Sequence, residues 1–168
     1  MAEEIKPIGS DIEGFESLKR AVLYLLSSYP GLEPREIVFE DLQPGSSGIA
    51  IGSNSGSLIL TERVSITDHV RQTCEFPFFV IYRTSATRED KKLQVADFLD
   101  TFGRWMTGQT VTVNEINTKL TSYPKLDGGR KITGITIFNS YGIEPTEDGY
   151  QDWYLPVTVQ YTNEFDKW

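Results

Sequence analysis

Cys74-Glu-Phe-Pro-Phe-Phe-Val-Ile-Tyr-Arg83 is a run of aromatic and β-branched residues too apolar to lie anywhere but inside a sheet. It reads as the central strand. Proline cannot donate to a ladder, so Pro77 points to a bulge, a strand start or an edge, and the strand proper is expected from Phe78. Thr87-Arg-Glu-Asp90 then offers a helix start with two carboxylates at the positive end of the dipole. The helix is predicted from Asp90 to Met106, with Gly108 as a stop. Leu93, Val95, Ala96, Phe98, Leu99, Phe102, Trp105 and Met106 give it a broad apolar face, suited to lying across a sheet. Strand and helix become the two layers of one core.

Upstream, Ser10-Asp-Ile-Glu13 fits a capping box. Ile12, Phe15, Leu18, Val22, Leu25 and Tyr29 follow at steps of three and four, and Pro30-Gly31 ends that helix. Pro34 opens a short strand, Ile37-Val-Phe39, and Gln43-Pro-Gly-Ser-Ser-Gly48 is turn material. Ile49-Ala-Ile51 and Leu58-Ile-Leu60 flank Gly52-Ser-Asn-Ser-Gly-Ser57, which predicts a hairpin with a polar tip. A nucleotide-binding loop would need Lys-Ser or Lys-Thr after the second glycine and a helix beyond. From Thr61 to Thr73, Val64, Ile66 and Val70 suggest a further strand.

Downstream, Val111, Val113 and Ile116 precede a break at Pro124-Lys-Leu-Asp-Gly-Gly129. A strand in Lys131–Phe138, an acidic loop over Tyr141–Asp152 and a closing strand in Trp153–Thr162 complete the chain. Leu155, Val157, Val159 and Tyr161 alternate with polar neighbours, so one face of that strand is buried and one faces water or a partner. The expected fold is α+β with two layers: two main helices packed on a mainly antiparallel sheet, as a single domain over residues 1–168.

The composition bounds the function. At 168 residues the chain buries a core without staples, removing roughly 70% of the extended chain's surface from water. Cys74 is the one cysteine, so no internal disulfide forms and a reducing compartment is expected. No apolar run approaches the ~20 residues of a bilayer span, and the N-terminus lacks a secretion signal, so a soluble protein made in the cytoplasm, with no membrane partner, is expected. The net charge is −8, from 24 acidic and 16 basic residues, which disfavours sequence-specific nucleic-acid binding.

Catalytic and metal chemistry find little to work with. The single histidine, His69, lies five residues from Cys74, and on an extended strand that spacing places them on opposite faces. One histidine and one cysteine do not build a zinc site. Glu144, Glu147, Asp148 and Asp152 lack the ligand spacing of a calcium loop. Asp97 and Asp100 read as the exposed face of the second helix, and the aromatics as core and interface. No enzyme activity, cofactor or metal is predicted.

Three stretches resemble the small tail terminator, or minor capsid, proteins of long-tailed phages and prophages of Gram-positive bacteria. They are Arg71–Arg83, with an aromatic-Pro-Phe core ending in tyrosine and a basic residue; the helix Phe98-Leu-Asp-Thr-Phe-Gly-Arg-Trp105; and Asp148–Tyr161, a closing strand after an acidic Asp-Gly turn. The resemblance implies a virion subunit, present in the host cytoplasm during assembly. It would form a ring with itself, typically a hexamer, that caps the head-proximal end of the tail tube. Its other partners would be the tail tube protein and the head connector protein. A ring needs two different complementary patches per subunit. Sheet edges and the loops at 43–57 and 140–152 are the expected sources, with Ser53, Asn54, Ser55, Tyr141, Glu144, Glu147, Asp148 and Trp153 as interface candidates. The alternative is another head-tail connector or minor capsid component of similar fold, and after it a small-ligand module or enzyme using His69 and Cys74.

Overall fold

The computed structural model describes residues 15–32, 37–39, 47–53, 58–85, 89–126 and 128–167. Its spine is a pair of 17-residue strands, β4 (His69–Ser85) and β9 (Tyr150–Asp166). They pair antiparallel without a break, from His69↔Asp166 to Ser85↔Tyr150. At about 3.4 Å per residue the ribbon is roughly 55 Å long.

Each outer edge of this ribbon carries two shorter strands in succession. β2 (Gly48–Ser53) and β3 (Leu58–Val64) lie end to end along β4, both antiparallel to it. β7 (Arg130–Ile137) and β8 (Tyr141–Gly142) do the same along β9. β1 (Ile37–Phe39) adds a parallel strand outside β2. The predicted hairpin around Gly52–Ser57 therefore does not form, because β2 and β3 pair with β4 and not with each other. β2 ends at Ser53 opposite Phe78 and β3 begins at Leu58 opposite Glu75, so only Phe76 and Pro77 of β4 lie between the two ladders.

That gap between the ladders also explains Pro77. The ladder to β2 ends at Phe78 and the ladder to β3 starts at Glu75, while Thr158 faces Pro77 from β9. Proline sits at a local edge inside a long strand, where a missing N–H costs no ladder bond. The expected start at Phe78 is corrected to His69. The expected strand from Thr61 to Thr73 is likewise two strands, reversed by a turn over Ser65–Asp68 in which Asp68 takes φ 60°. Ser65 Oγ accepts from the amides of Thr67 and His69 and so closes the turn.

Alternation decides the layers. On β4 the even residues from Val70 to Tyr82 are buried, and on β9 the odd residues from Leu155 to Asn163 are buried. Onto this face pack α1 (Phe15–Ser27), through Leu18, Val22, Leu25 and Leu26, and α2 (Glu89–Met106), through Val95, Leu99, Phe102, Trp105 and Met106. Tyr29 links the helices, its ring 4.8 Å from Phe102 and 5.1 Å from Trp105. Each large side chain buried here contributes about 1.5–3 kcal/mol. The fold is α+β, as expected: helices on one face of a mainly antiparallel sheet.

Three expectations need correction or placement. Leu93 does not join the helix face; it is 73% exposed. The closing strand runs from Tyr150 to Asp166, beyond both expected ends, because β4 supplies a partner along its whole length. The capping box at Ser10–Glu13 lies outside the described residues, as does Thr87 of the second helix start, whereas Glu89 and Asp90 do open α2. α2 does stop at Gly108, whose φ of 87° suits a left-handed cap, with Gln109 N donating to Arg104 O and Gly108 N to Trp105 O. β5 (Val111–Val113) and β6 (Ile116–Thr118) form a small separate hairpin turned by Asn114 and Glu115, both at positive φ. Among the described residues no helix is long and apolar enough to cross a membrane.

Candidate interaction surfaces

His69 and Cys74 occupy opposite faces of β4. Cys74 is buried, whereas His69 is exposed at the ribbon end, with Nδ1 2.8 Å from Asp166 Oδ1 and Nε2 3.9 Å from Glu164. No nucleophile–base pair arises between them. Among the described residues no three His, Cys, Asp or Glu side chains gather as a metal site.

The first surface is the outer edge of β3. All seven of its residues are exposed, including Leu58 (47%), Ile59 (42%) and Leu60 (52%). The neighbouring turn adds Ile66, fully in solvent. Among the described residues β4 is the one strand that pairs with β3, and none pairs with its other side. Apolar side chains on an open strand edge form a template for another chain.

The second surface is the open face of the ribbon. Phe79 packs edge-on against Tyr154 at 5.5 Å, and Tyr141 stacks on Tyr154 at 5.7 Å. Beside them Arg83 forks onto Asp152 across the strands, Nε to Oδ1 at 2.6 Å and Nη2 to Oδ2 at 2.9 Å. That hydrogen bond raises the guanidinium pKa above its ordinary value. Burial first, and the charge of Asp152 second, raise the Tyr154 phenol.

The third is the acidic tip between β8 and β9. Thr146-Glu147-Asp148-Gly149 forms a tight turn: Gly149 N donates to Thr146 O, Thr146 N donates to Tyr150 O, and Thr146 Oγ1 donates to Asp148. Gly149 takes φ 81°, the left-handed position of a three-residue hairpin loop. Glu144, Glu147 and Asp148 are all exposed there.

The fourth is a cleft of about 490 Å³ beside β7, where Tyr123 and Pro124 face the start of the strand and Lys125, Arg130 and Lys131 supply the charge. Leu120, Tyr123 and Leu126 pin this extended segment against the core, and burial raises the Tyr123 phenol. Arg130 also borders a second cleft, of about 390 Å³, lined by Gln72 and Asn163. These two buried amides continue a chain from Glu62: Gln72 Nε2 donates to Glu62 Oε2 at 2.7 Å, and Asn163 Nδ2 to Gln72 Oε1 at 3.2 Å.

The sequence candidates divide among these surfaces. Tyr141, Glu144, Glu147 and Asp148 fall on the open face and the acidic tip. Trp153 is half-buried, packed against the core and close to Gly142, so it supports the tip from below. Ser53 ends β2, and Asn54 and Ser55 lie outside the described residues. Asp152 leaves the acidic loop for its pairing with Arg83 on the ribbon. The β3 edge and the basic cleft were not anticipated. Leu58-Ile-Leu60 carried a signal, three apolar residues in a row on a short strand, and the cleft carried one in its three cations around the Gly128-Gly129 break.

No family model matches the chain, and no curated protein matches it.

Proposed function

We propose that the chain is a structural assembly subunit of the tail terminator type. Copies of it form a ring, six to the ring, that caps the head-proximal end of a phage tail tube and offers the head connector a docking face. It acts in the virion, and its partners are itself, the tail tube protein and the head connector protein. The observation that carries this reading is β3, a seven-residue edge strand exposed throughout and rich in leucine and isoleucine. Such an edge is a liability in a lone monomer and an asset in an assembly.

The sheet supplies a complementary edge. β3 runs antiparallel to β4, and β7 runs parallel to β4 because both are antiparallel to β9. Rotation about an axis along the strands brings β3 of one copy beside β7 of the next as antiparallel neighbours, with the helices on the same side. The contact is heterologous, so it closes into a ring when the rotation divides a full turn. Native mass by light scattering over a concentration series, with negative-stain images of the same fractions, tests the reading. Rings with a central hole support it; a monomer at every concentration, unchanged by added tail tube, refutes it.

A further inference from the structure

We infer that the open face of the ribbon beside the acidic tip is a docking site for a basic, apolar segment of a different protein. Six side chains make its surface. Phe79, Ile81, Tyr154 and Pro156 stand on the face of β4 and β9 turned away from α1 and α2, paired across the strands as Phe79↔Pro156 and Ile81↔Tyr154. β8 adds Tyr141, opposite Tyr154, and the chain continues to Ile143, whose N donates to Asp152 O. Tyr141 is 46% and Ile143 40% exposed, and the other four are partly exposed. Single exposed apolar residues are ordinary on a monomer, but six in one contiguous field mark an interaction site. The rings are also fixed in place: Tyr141 stacks on Tyr154 at 13°, and Phe79 meets Tyr154 edge-on at 88°. The field runs along four residues of strand and across three strands, about 14 Å by 10 Å, which takes about four residues of extended chain.

Charge selects the occupant. Arg83 and Asp152 border the field and neutralise each other. Beyond them the tip brings Glu144, Glu147 and Asp148, and Asp148 lies near enough to help raise the Arg83 pKa. Among the described residues, these four carboxylates against one guanidinium leave three negative charges at this end of the open face. Glu75, further along the same face of β4, has the same sign, and the start of α2, Glu89-Asp-Lys-Lys92, is balanced and belongs to the helix side. A segment with aliphatic, aromatic or proline side chains flanked by lysine or arginine meets both parts of the surface. Its apolar groups cover the field, and its cations reach the carboxylates while their stems lie over the tyrosine rings. The same charge disfavours the other occupants. Two copies face to face would bring two sets of these carboxylates together. Residues 1–14 carry four carboxylates against one lysine, and nucleic acid is negative throughout. The surface also stays free in the proposed ring, which joins the outer edges of β3 and β7, whereas these side chains project from the sheet face. That the partner is the tail tube or the head connector rests on the terminator reading; the preference for a basic apolar segment does not.

The test uses the full chain and the capped peptide Lys-Leu-Pro-Leu-Phe-Arg-Lys, with Glu-Leu-Pro-Leu-Phe-Glu-Glu as its charge-reversed control, followed by calorimetry and by amide shifts. The basic peptide should bind at low salt, shift the amides of Phe79–Arg83, Tyr141–Ile143 and Asp152–Leu155, and bind at least about tenfold more tightly than the acidic one. Tyr141→Ser/Ile143→Ser, at two exposed positions, should keep wild-type melting and weaken binding about tenfold. Glu144→Gln/Glu147→Gln should weaken it about threefold and flatten its salt dependence. No binding by the wild type, equal binding of the acidic peptide, or binding that both variants retain overturns the inference. Larger shifts at the same amides from a synthetic peptide of residues 1–14, or from oligothymidine, overturn it in favour of the chain's own segment or of nucleic acid. Dimers that Leu58→Lys/Leu60→Lys keeps and Tyr141→Ser/Ile143→Ser abolishes would make a second copy the occupant and overturn it too. Peptide binding by a chain that never forms rings would uphold the site and sink the proposed function; rings without peptide binding would do the reverse.

Discussion

Gly129→Ala should be among the most damaging single substitutions away from the helices. A Cβ built at Gly129 falls 2.0 Å from the carbonyl oxygen of Glu164 and 2.9 Å from its carbon. Both atoms are main chain, so no rotamer change relieves the clash. The two backbones are also tied together, since Glu164 N donates to Gly129 O at 3.0 Å. Moving them apart loses that bond, worth about 0.5–1.5 kcal/mol net, and strains the start of β7, at about 1–3 kcal/mol for overpacking. The sum is about 1.5–4.5 kcal/mol, which for a domain of this size lowers Tm by roughly 3–18 °C. Gly108→Ala is the control. There the new side chain meets a positive φ, 87°, but nothing within 4 Å, so it costs only the left-handed penalty of about 1–2 kcal/mol. Urea titration of both variants, with unchanged slope, decides the matter. A Gly129→Ala cost below that of Gly108→Ala would refute the reasoning.

Arg83→Met should cost about 2–3 kcal/mol, because it strands the largely buried Asp152 carboxylate, whereas Arg83→Met/Asp152→Leu should recover at least half of the loss; equal costs in urea titrations would contradict this. Burial raises the phenol pKa of Tyr29, Tyr123 and Tyr154. The unfolded chain then ionises first, so the stability these groups contribute is present below pH 10 and lost as the pH climbs through their raised folded values. Absorbance at 295 nm should show a late tyrosine fraction that titrates together with unfolding; one common transition for all eight tyrosines at the ordinary phenol range would exclude it.

Periodicity made most of the scaffold legible. The α1 stripe through Leu18, Val22 and Leu25 and the α2 face through Leu99 and Phe102 are buried as spaced. The alternation on β4 and β9 likewise marks one core face and one open face. Pairing was harder to read, because it depends on partners far along the chain. Gly52–Ser57 has the composition of a hairpin tip, yet β4 offers so long an edge that β2 and β3 both bind it. The true reversal, Ser65-Ile-Thr-Asp68, contains neither glycine nor proline, and Asp68 carries the positive φ instead. Asn114-Glu115 hides the β5–β6 turn in the same way. Leu93 counted as apolar face by type, but it sits one turn ahead of Ala96 at the edge of the stripe and remains in solvent.

The candidate surfaces follow the same division. The acidic tip is contiguous in sequence and was anticipated through Glu144, Glu147 and Asp148. The basic cleft needs the segment at Ser122–Leu126 folded back beside Arg130–Ile132, which no local pattern specifies. The β3 edge depends on what does not lie beside it, and strand order alone reveals that.

The most direct test of assembly through the β3 edge compares the wild type with Leu58→Lys/Leu60→Lys by light scattering at matched concentration. Both side chains are about half exposed, so the variant should fold with wild-type melting. Wild type is expected to reach a ring mass of about 6 × 19.0 = 114 kDa, and the variant to remain near 19.0 kDa. A folded variant that still forms the ring would contradict the account.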